Sequence, residues 1–387
     1  MSQSIPVNPA VLLWARETAG LSVDEVVRRL GRKTIDAKTI TSWEEGSDSP
    51  NFPQLESLAY LIYKRPLAVF FFPTVPEEET PKTDFRTLPE AVIEGLPSGV
   101  VKFYRKAKLL QLYLEELYEG SKPVEESLLD RFELNEKSLL SPIARQVRDV
   151  LGISVDEQTK WLSGKTAFDN WRDALERNGV FVFKDAFRND DYSGFCLFSD
   201  KYPVIFVNNS MPASRQVFTL FHELGHLLYR AGGVDFRTRQ VTRLFEGYFR
   251  DTEVNCNQFA NEFLVPGEAL DSLIKGASEE YLEKLATHFS VSREVILRNY
   301  LDRGLVDNSY YEKMAAKWAS QAKESRSEGS GGNSYYTLGS YLGRNYIEMV
   351  YAQYYRNRIS RDTLAEYLGV KERNLSNFEY WVVEGGR

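Results

Sequence analysis

Two of the three histidines in this 387-residue chain stand four positions apart, in His222-Glu223-Leu224-Gly225-His226. The stretch from Arg215 to Tyr229 is apolar at Val217, Phe218, Leu220, Phe221, Leu224, Leu227 and Leu228, which predicts a buried helix. Residues four apart share a helical face, so two imidazoles placed this way can grip one metal ion. Glu223 projects about 100° from His222 and can reach a water on that ion without being a ligand. With histidine this rare, chance alone gives about 0.002 such HExxH patterns in the chain. The competing reading is a pair of satisfied core histidines with a surface glutamate.

A catalytic zinc keeps three protein ligands and one open position, so a third donor is needed. His288 is the only other histidine, and its setting, Leu285-Ala286-Thr287-His288-Phe289-Ser290, reads as an ordinary helix end. Glu253 opens a predicted helix that presents Glu253, Cys256, Asn257 and Ala260 on one face. A carboxylate in a first helical turn is favoured by the helix dipole. On position alone, a solvated N-terminal charge accounts for Glu253 equally well.

Lys and Arg number 48 against 55 Asp and Glu, a net charge of −7. That balance excludes a protein working mainly as a basic coat on duplex DNA and leaves room for one local patch. Cys196 and Cys256 are the only cysteines, too few for a disulfide scaffold or a thiolate zinc site, and they fit a reducing cytosol. Met1 to Asn8 has no basic-then-apolar leader pattern, and the longest apolar stretch, Leu58 to Pro73, is broken by Lys64, Arg65 and Pro66. No membrane partner and a cytoplasmic location are expected.

The periodicities predict a multi-domain, mostly α chain. A helical bundle with helix-turn-helix rhythm covers 1–75, a Pro-rich linker 76–98 and a helical connector 99–160. A central α+β domain with a small sheet covers 161–305, a helix and Gly/Ser linker 306–334, and a helical tail 335–387. In the first bundle Ser22 and Glu25 make a capping box before the stripe Val26, Val27 and Leu30, and further helices are expected over Asp36–Glu44, Gln54–Tyr63 and Leu67–Phe72. The central domain reads as strands at Val180–Phe183, Gly194–Phe198 and Pro203–Val207, then helices at Pro212–Arg230 and Thr252–Leu264.

HExxH followed by E-x-x-[AC]-N-x-F-A-x-x-[LF]-L-x-P resembles the ImmA/IrrE family of zinc metallopeptidases. The second motif matches at Glu253, Asn257, Phe259, Ala260, Leu264 and Pro266, and departs at Cys256, where that family commonly has alanine. Asp84-Phe85-Arg86-Thr87, Gly194-Phe195, Tyr202 to Ile205 and Leu285 to Leu305 also look like this family, so the resemblance runs from about residue 80 to 387. It implies a zincin-like central domain with Zn2+ held by His222, His226 and Glu253, and Glu223 as the catalytic base. It also implies an endopeptidase that cuts a regulatory protein, typically a transcriptional repressor, in a stress, prophage or toxin–antitoxin setting.

Ser42-Trp43-Glu44-x-Gly46-x-x-x-Pro50 is similar to the Xre/Cro-type helix-turn-helix family, which implies that Lys38, Thr39 and Thr41 face a major groove. Arg32 and Lys33 belong to a local basic cluster beside them. Residues 1–75 nevertheless carry eight basic and eight acidic side chains, so a docking or dimerisation role competes with DNA binding. In the tail, Tyr346, Tyr351, Tyr354 and Tyr355 alternate with Arg344, Arg356, Arg358 and Arg361. Such a stripe can stack on single-stranded nucleic acid, though helical core with solvated arginines is the commoner meaning. Two other functional classes remain: a DNA-binding regulator whose metallopeptidase domain is a structural or sensing module, and a zinc hydrolase of a non-peptide amide.

Overall fold

The computed structural model describes residues 6–32, 34–63, 65–76, 96–236, 248–324 and 334–383, in two compact units, 1–106 and 107–387. Residues 77–95 of the expected linker 76–98, with Asp84 to Thr87, and 325–333 of the expected segment 306–334 lie outside the described residues, as does Lys33.

In the first unit the first four helices each start at a residue whose side chain caps them. Asn8 caps α1 (Pro9–Thr18), with proline at the first helical position. Ser22 and Glu25 close the capping box of α2 (Val23–Leu30), and Asp36 caps α3 (Ala37–Glu45). Arg16 and Glu44 form a two-pronged ion pair at 2.7 and 2.9 Å between α1 and α3. The helix expected over Gln54–Tyr63 is two windings: α4 (Phe52–Glu56) passes into a wider π turn over Ser57–Tyr63. The long helix α5 spans Ser98–Leu117.

The second unit is built around a mixed four-stranded sheet in the order β1–β3–β2–β4, with β1 (Phe181–Asp185), β2 (Tyr192–Leu197), β3 (Val204–Asn208) and β4 (Gly233–Phe236). β1 and β3 run parallel; β2 is antiparallel to β3 and β4. Three strands follow from the sequence, but β4 does not. Gly233-Val234-Asp235-Phe236 has one β-branched residue and follows a glycine, so local propensity reads it as a turn. Its strand state comes from pairing with β2, a tertiary cause.

Against the sheet lies α8 (Ala213–Leu228), flanked by α7 (Gly164–Arg177) and α9 (Tyr248–Leu264), with α6 (Leu140–Leu151) packed on α9. An aromatic knot locks these helices: Trp171 meets Phe221 edge-on at 5.0 Å, and Phe221 stacks on Phe263 at 3.9 Å. Arg148 is buried against the knot, donating to the Phe263 carbonyl and to Gln158 Oε1. Gln158 in turn donates to the carbonyls of Leu264 (2.9 Å) and Phe289 (2.7 Å). The C-terminal ends of α9 and of α10 (Glu279–His288) therefore share one amide, which satisfies carbonyls left orphaned by helix termination. α11 (Arg293–Asp302) and α12 (Asn308–Glu324) complete this region.

The tail forms α13 (Ser334–Leu342), α14 (Arg344–Tyr355), α15 (Arg361–Leu368) and α16 (Leu375–Val383). It packs on β1 through Arg172, which pairs with Glu176 at 3.0 Å and donates to the carbonyls of Ser340 and Tyr341. Asn345 donates to the other Glu176 oxygen at 2.8 Å. Tyr346 and Tyr351 are buried, while Arg344, Arg358 and Arg361 pair with Glu348, Glu119 and Glu372. Part of the tyrosine–arginine stripe is thus core and three of its four arginines are paired with acids, while Tyr355 and Arg356 are exposed.

Lys184, 7% exposed on the core side of β1, holds its ammonium 4.3 Å from the Phe168 ring centroid. Burial, helped by the Arg172 charge, lowers its pKa to about 8 from 10.5. Between those values the unfolded chain binds the proton and the folded chain does not, so this side chain makes stability rise with pH across that window. Lys184→Met is expected to abolish that rise and to stabilise the protein near neutral pH by about 1–3 kcal/mol, measured by urea unfolding across the pH series.

Candidate metal centre

His222 and His226 lie on the buried face of α8, each 1% exposed, with Nε2 atoms 3.2 Å apart. Glu253, on α9, places Oε1 3.2 Å from His226 Nε2 and Oε2 3.5 Å from His222 Nε2. These three are the cluster able to hold a metal ion among the described residues. A tetrahedral ion with bonds of about 2.0–2.1 Å needs donors about 3.3 Å apart, close to the separation of the two Nε2 atoms and to the distance from each imidazole to one Glu253 oxygen. Two neutral imidazoles and a carboxylate are also a donor set that borderline divalent cations accept.

α9 begins at Tyr248, five residues before Glu253, which therefore sits in the second helical turn. The expectation that it opens the helix and rests on its dipole is corrected: packing of α9 on α8 holds this carboxylate, since the dipole effect fades beyond the first turn. Asn257 Nδ2 donates to the Glu253 carbonyl at 2.7 Å, an in-helix bond that leaves the carboxylate facing the imidazoles. His288 lies exposed at the end of α10, its ring against Phe289, and is not part of the cluster.

Glu223 is fully buried next to the His pair. Cys196, on β2, is wholly buried and donates its thiol to the Ala231 carbonyl at 3.8 Å, and burial followed by the nearby Glu223 charge pushes that thiol's pKa well up. Cys256 is buried against His226, and burial raises its pKa against the opposing pull of that imidazole. Burial works against protonating His226, yet the Cys256 and Glu253 side chains carry its pKa well above that of a free imidazole. Both thiols are thus neutral hydrogen-bonding groups at the edge of the site.

Two glycines allow this crowding. A Cβ on Gly225 would lie 3.1 Å from the Cys256 Sγ, and one on Gly233 would lie 2.5 Å from the His226 Cδ2 and Cγ atoms. Gly225 lets α9 approach α8, and Gly233 lets β4 pass directly against the imidazole. Sequence reading missed Cys196 and Gly233. The available signal was the Gly232-Gly233 pair six and seven residues after His226, since adjacent glycines mark close backbone approach.

Tyr229 and Arg230, the residues nearest the motif considered for oxyanion stabilisation, have other partners. The Tyr229 hydroxyl accepts from Asn255 Nδ2 at 2.9 Å, and Arg230 donates to the Leu129 carbonyl at 2.7 Å. Of the proposed DNA-contacting residues, Arg32 donates to the Ser57 hydroxyl and the Pro53 carbonyl. The Thr39 hydroxyl donates to Asp36 and that of Thr41 to the Ala37 carbonyl, while Lys38 is exposed.

Residues 175–300 match the model of peptidase family M78, described as an IrrE N-terminal-like domain. The match covers less than half of the chain and contains all four residues of the centre. The central domain is thus similar to metal-dependent peptidases of the IrrE/ImmA type. No curated protein matches the chain. No helix among the described residues is long and apolar enough to cross a membrane.

Gly233→Val should force the His226 ring aside while leaving the peptidase-like domain folded. The expected result is a 10- to 100-fold weaker divalent-metal affinity, on the order of that seen when a residue supporting a metal ligand is lost, measured by competition with a chelating dye.

Proposed function

We propose that the chain is a zinc-dependent endopeptidase acting on a regulatory protein, with His222, His226 and Glu253 as metal ligands and Glu223 as general base. The observation that carries this reading is the convergence of two Nε2 atoms and a carboxylate at 3.2–3.5 Å with Glu223 buried beside them. When bound, the ion supplies Lewis acidity and draws the pKa of a coordinated water toward neutrality. Glu223 then takes the proton of the attacking water and returns it to the departing amine. The neutral Cys196 thiol lies beside the Glu223 carboxylate without adding charge, and the dry walls of α8 and β2 keep bulk water from competing for it.

On this reading the target is a transcriptional repressor or another partner in a stress, prophage or toxin–antitoxin circuit, and the setting is the cytoplasm. The first unit serves as a helix-turn-helix module for docking DNA or the target. Lys38 is its exposed cation on α3, while the engaged side chains of Arg32, Thr39 and Thr41 weigh toward the protein partner. Retardation of DNA that weakens steeply with salt would favour the DNA role, and no retardation the protein role.

Metal analysis should find about one zinc per chain, with His222→Ala and Glu253→Ala each leaving the protein nearly metal-free. Glu223→Gln should retain zinc and cut turnover by about 10²–10⁴-fold. Proteins cleaved in cells with the wild type and spared with Glu223→Gln identify the target. A Glu253→Ala chain that binds zinc as the wild type does would remove Glu253 from the ligand set.

A further inference from the structure

Two stretches far apart in the chain fold to one plan. Ser22 caps α2, eight residues long, which ends at Gly31 in the left-handed region, φ 61°; the connector 32–36 then leads to α3, nine residues long. Ser360 caps α15, also eight residues long, which ends at Gly369, φ 64°, and the connector 370–374 leads to α16, again nine residues long. The buried positions coincide as well. Val26 and Leu364 each stand fourth in the first helix, Ile40 and Phe378 fourth in the second, and none of the four is more than 2% exposed. Trp43 and Trp381 each stand seventh in the second helix. A short helix, a turn that needs a left-handed glycine, and a second helix make the helix-turn-helix arrangement.

In the tail this turn is held from both sides. The Gly369 N–H donates to the Glu366 carbonyl and the Val370 N–H to that of Ala365, each at 3.0 Å, which satisfies carbonyls at the end of α15. Arg361, at the start of α15, pairs with Glu372 of the connector at 3.2 Å. The unit lies outside the residues that match the peptidase family, and no metal ligand belongs to it.

A helix-turn-helix unit touches base edges with the first residues of its second helix. Around the start of α16 these are Lys371, Arg373, Ser376 and Asn377, all exposed, and among the described residues no hydrogen bond or ion pair engages their side chains. Thr39, which stands in α3 where Asn377 stands in α16, is by contrast tied to Asp36. A free carboxamide can bond adenine through two atoms, a guanidinium can do the same to guanine, and an ammonium suits a phosphate. Glu366 and Glu372 are occupied by Tyr113 and Arg361, which leaves Asp362 and Glu379 as opposing charges, so contacts to bases matter more here than attraction to phosphates. A face built for a protein partner is apolar at its centre, whereas the exposed apolar side chains of α16, Tyr380 and Val383, lie toward its far end. We propose that α15 and α16 form a helix-turn-helix unit that reads duplex DNA, with Arg373, Ser376 and Asn377 at base edges in the major groove and Lys371 on the phosphate backbone. The inference stands on the tail alone and does not require the peptidase reading.

The test uses the full chain and a pool of short fluorescent duplexes with randomised centres, alongside single strands of the same composition. Duplexes should be retained in preference to single strands, and repeated selection should enrich one sequence motif. Lys371→Ala should weaken binding to all duplexes alike and lower the slope of log affinity against log salt by about one. Asn377→Ala should lose about tenfold on the enriched motif and relax the preference at a single base pair, with little effect on unselected duplexes. Both side chains are exposed, so the fold tolerates their loss, and the first unit stays intact in both variants. No retention of duplexes, tighter binding of single strands, or wild-type affinity in Lys371→Ala together with wild-type selectivity in Asn377→Ala would overturn the proposal. None of these readouts involves metal content or peptide cleavage, so this test and that of the peptidase reading fail separately.

Discussion

Two imidazole nitrogens and a carboxylate face one another at 3.2–3.5 Å in the interior of the second unit, and the surrounding packing exists to hold them there. Burying a carboxylate is costly unless a cation compensates it. The chain accepts that cost with α8 laid between the sheet and α9, and with glycines at the two closest approaches. Cys196 and Cys256, neutral and compact, fill the space at the margin without adding charge. Placed beside a doubly charged ion, this donor set turns an expensive arrangement into a favourable one.

The metal helix was legible because two signals agree over the same residues: an unbroken apolar periodicity from Val217 to Leu228 and two scarce histidines at helical spacing. Glu253 could be picked out only through family resemblance, since nothing in its neighbourhood separates a ligand from a solvated charge. The start of α9 was misplaced because Tyr248 to Asp251 carry no capping signature. β4 was invisible for a deeper reason: its residues have no strand preference of their own, and its register, Cys196 opposite Gly233, is imposed by β2. Cys196 was weighed only as one of two lone cysteines, because its meeting with Glu223 joins a strand to a helix 27 positions downstream.

The tail illustrates the same limit from the opposite direction. Its tyrosines and arginines form a pattern that suits nucleic-acid stacking or a helix surface, and local sequence cannot separate the two. The partners weigh toward a helix surface: Tyr346 donates to the Tyr367 carbonyl in the interior, and Arg344, Arg358 and Arg361 meet acids. Arg172 and Glu176, far upstream, anchor α13 and α14 beside β1, so the otherwise open edge of the sheet is covered from within the chain.

The shared amide of Gln158 has an implication for how the centre comes into being. Its acceptors belong to residues 264 and 289, while the guanidinium beside it reaches residue 263 from position 148. The orientation of α9 thus depends on groups more than a hundred residues earlier, on the far side of both the sheet and the histidine helix. No short excerpt of the polypeptide can preassemble the three donors; the contacts that hold them span residues 148 to 289. Competence to capture a cation should therefore appear late and all at once during synthesis, sparing a half-made chain from binding metal in the wrong geometry.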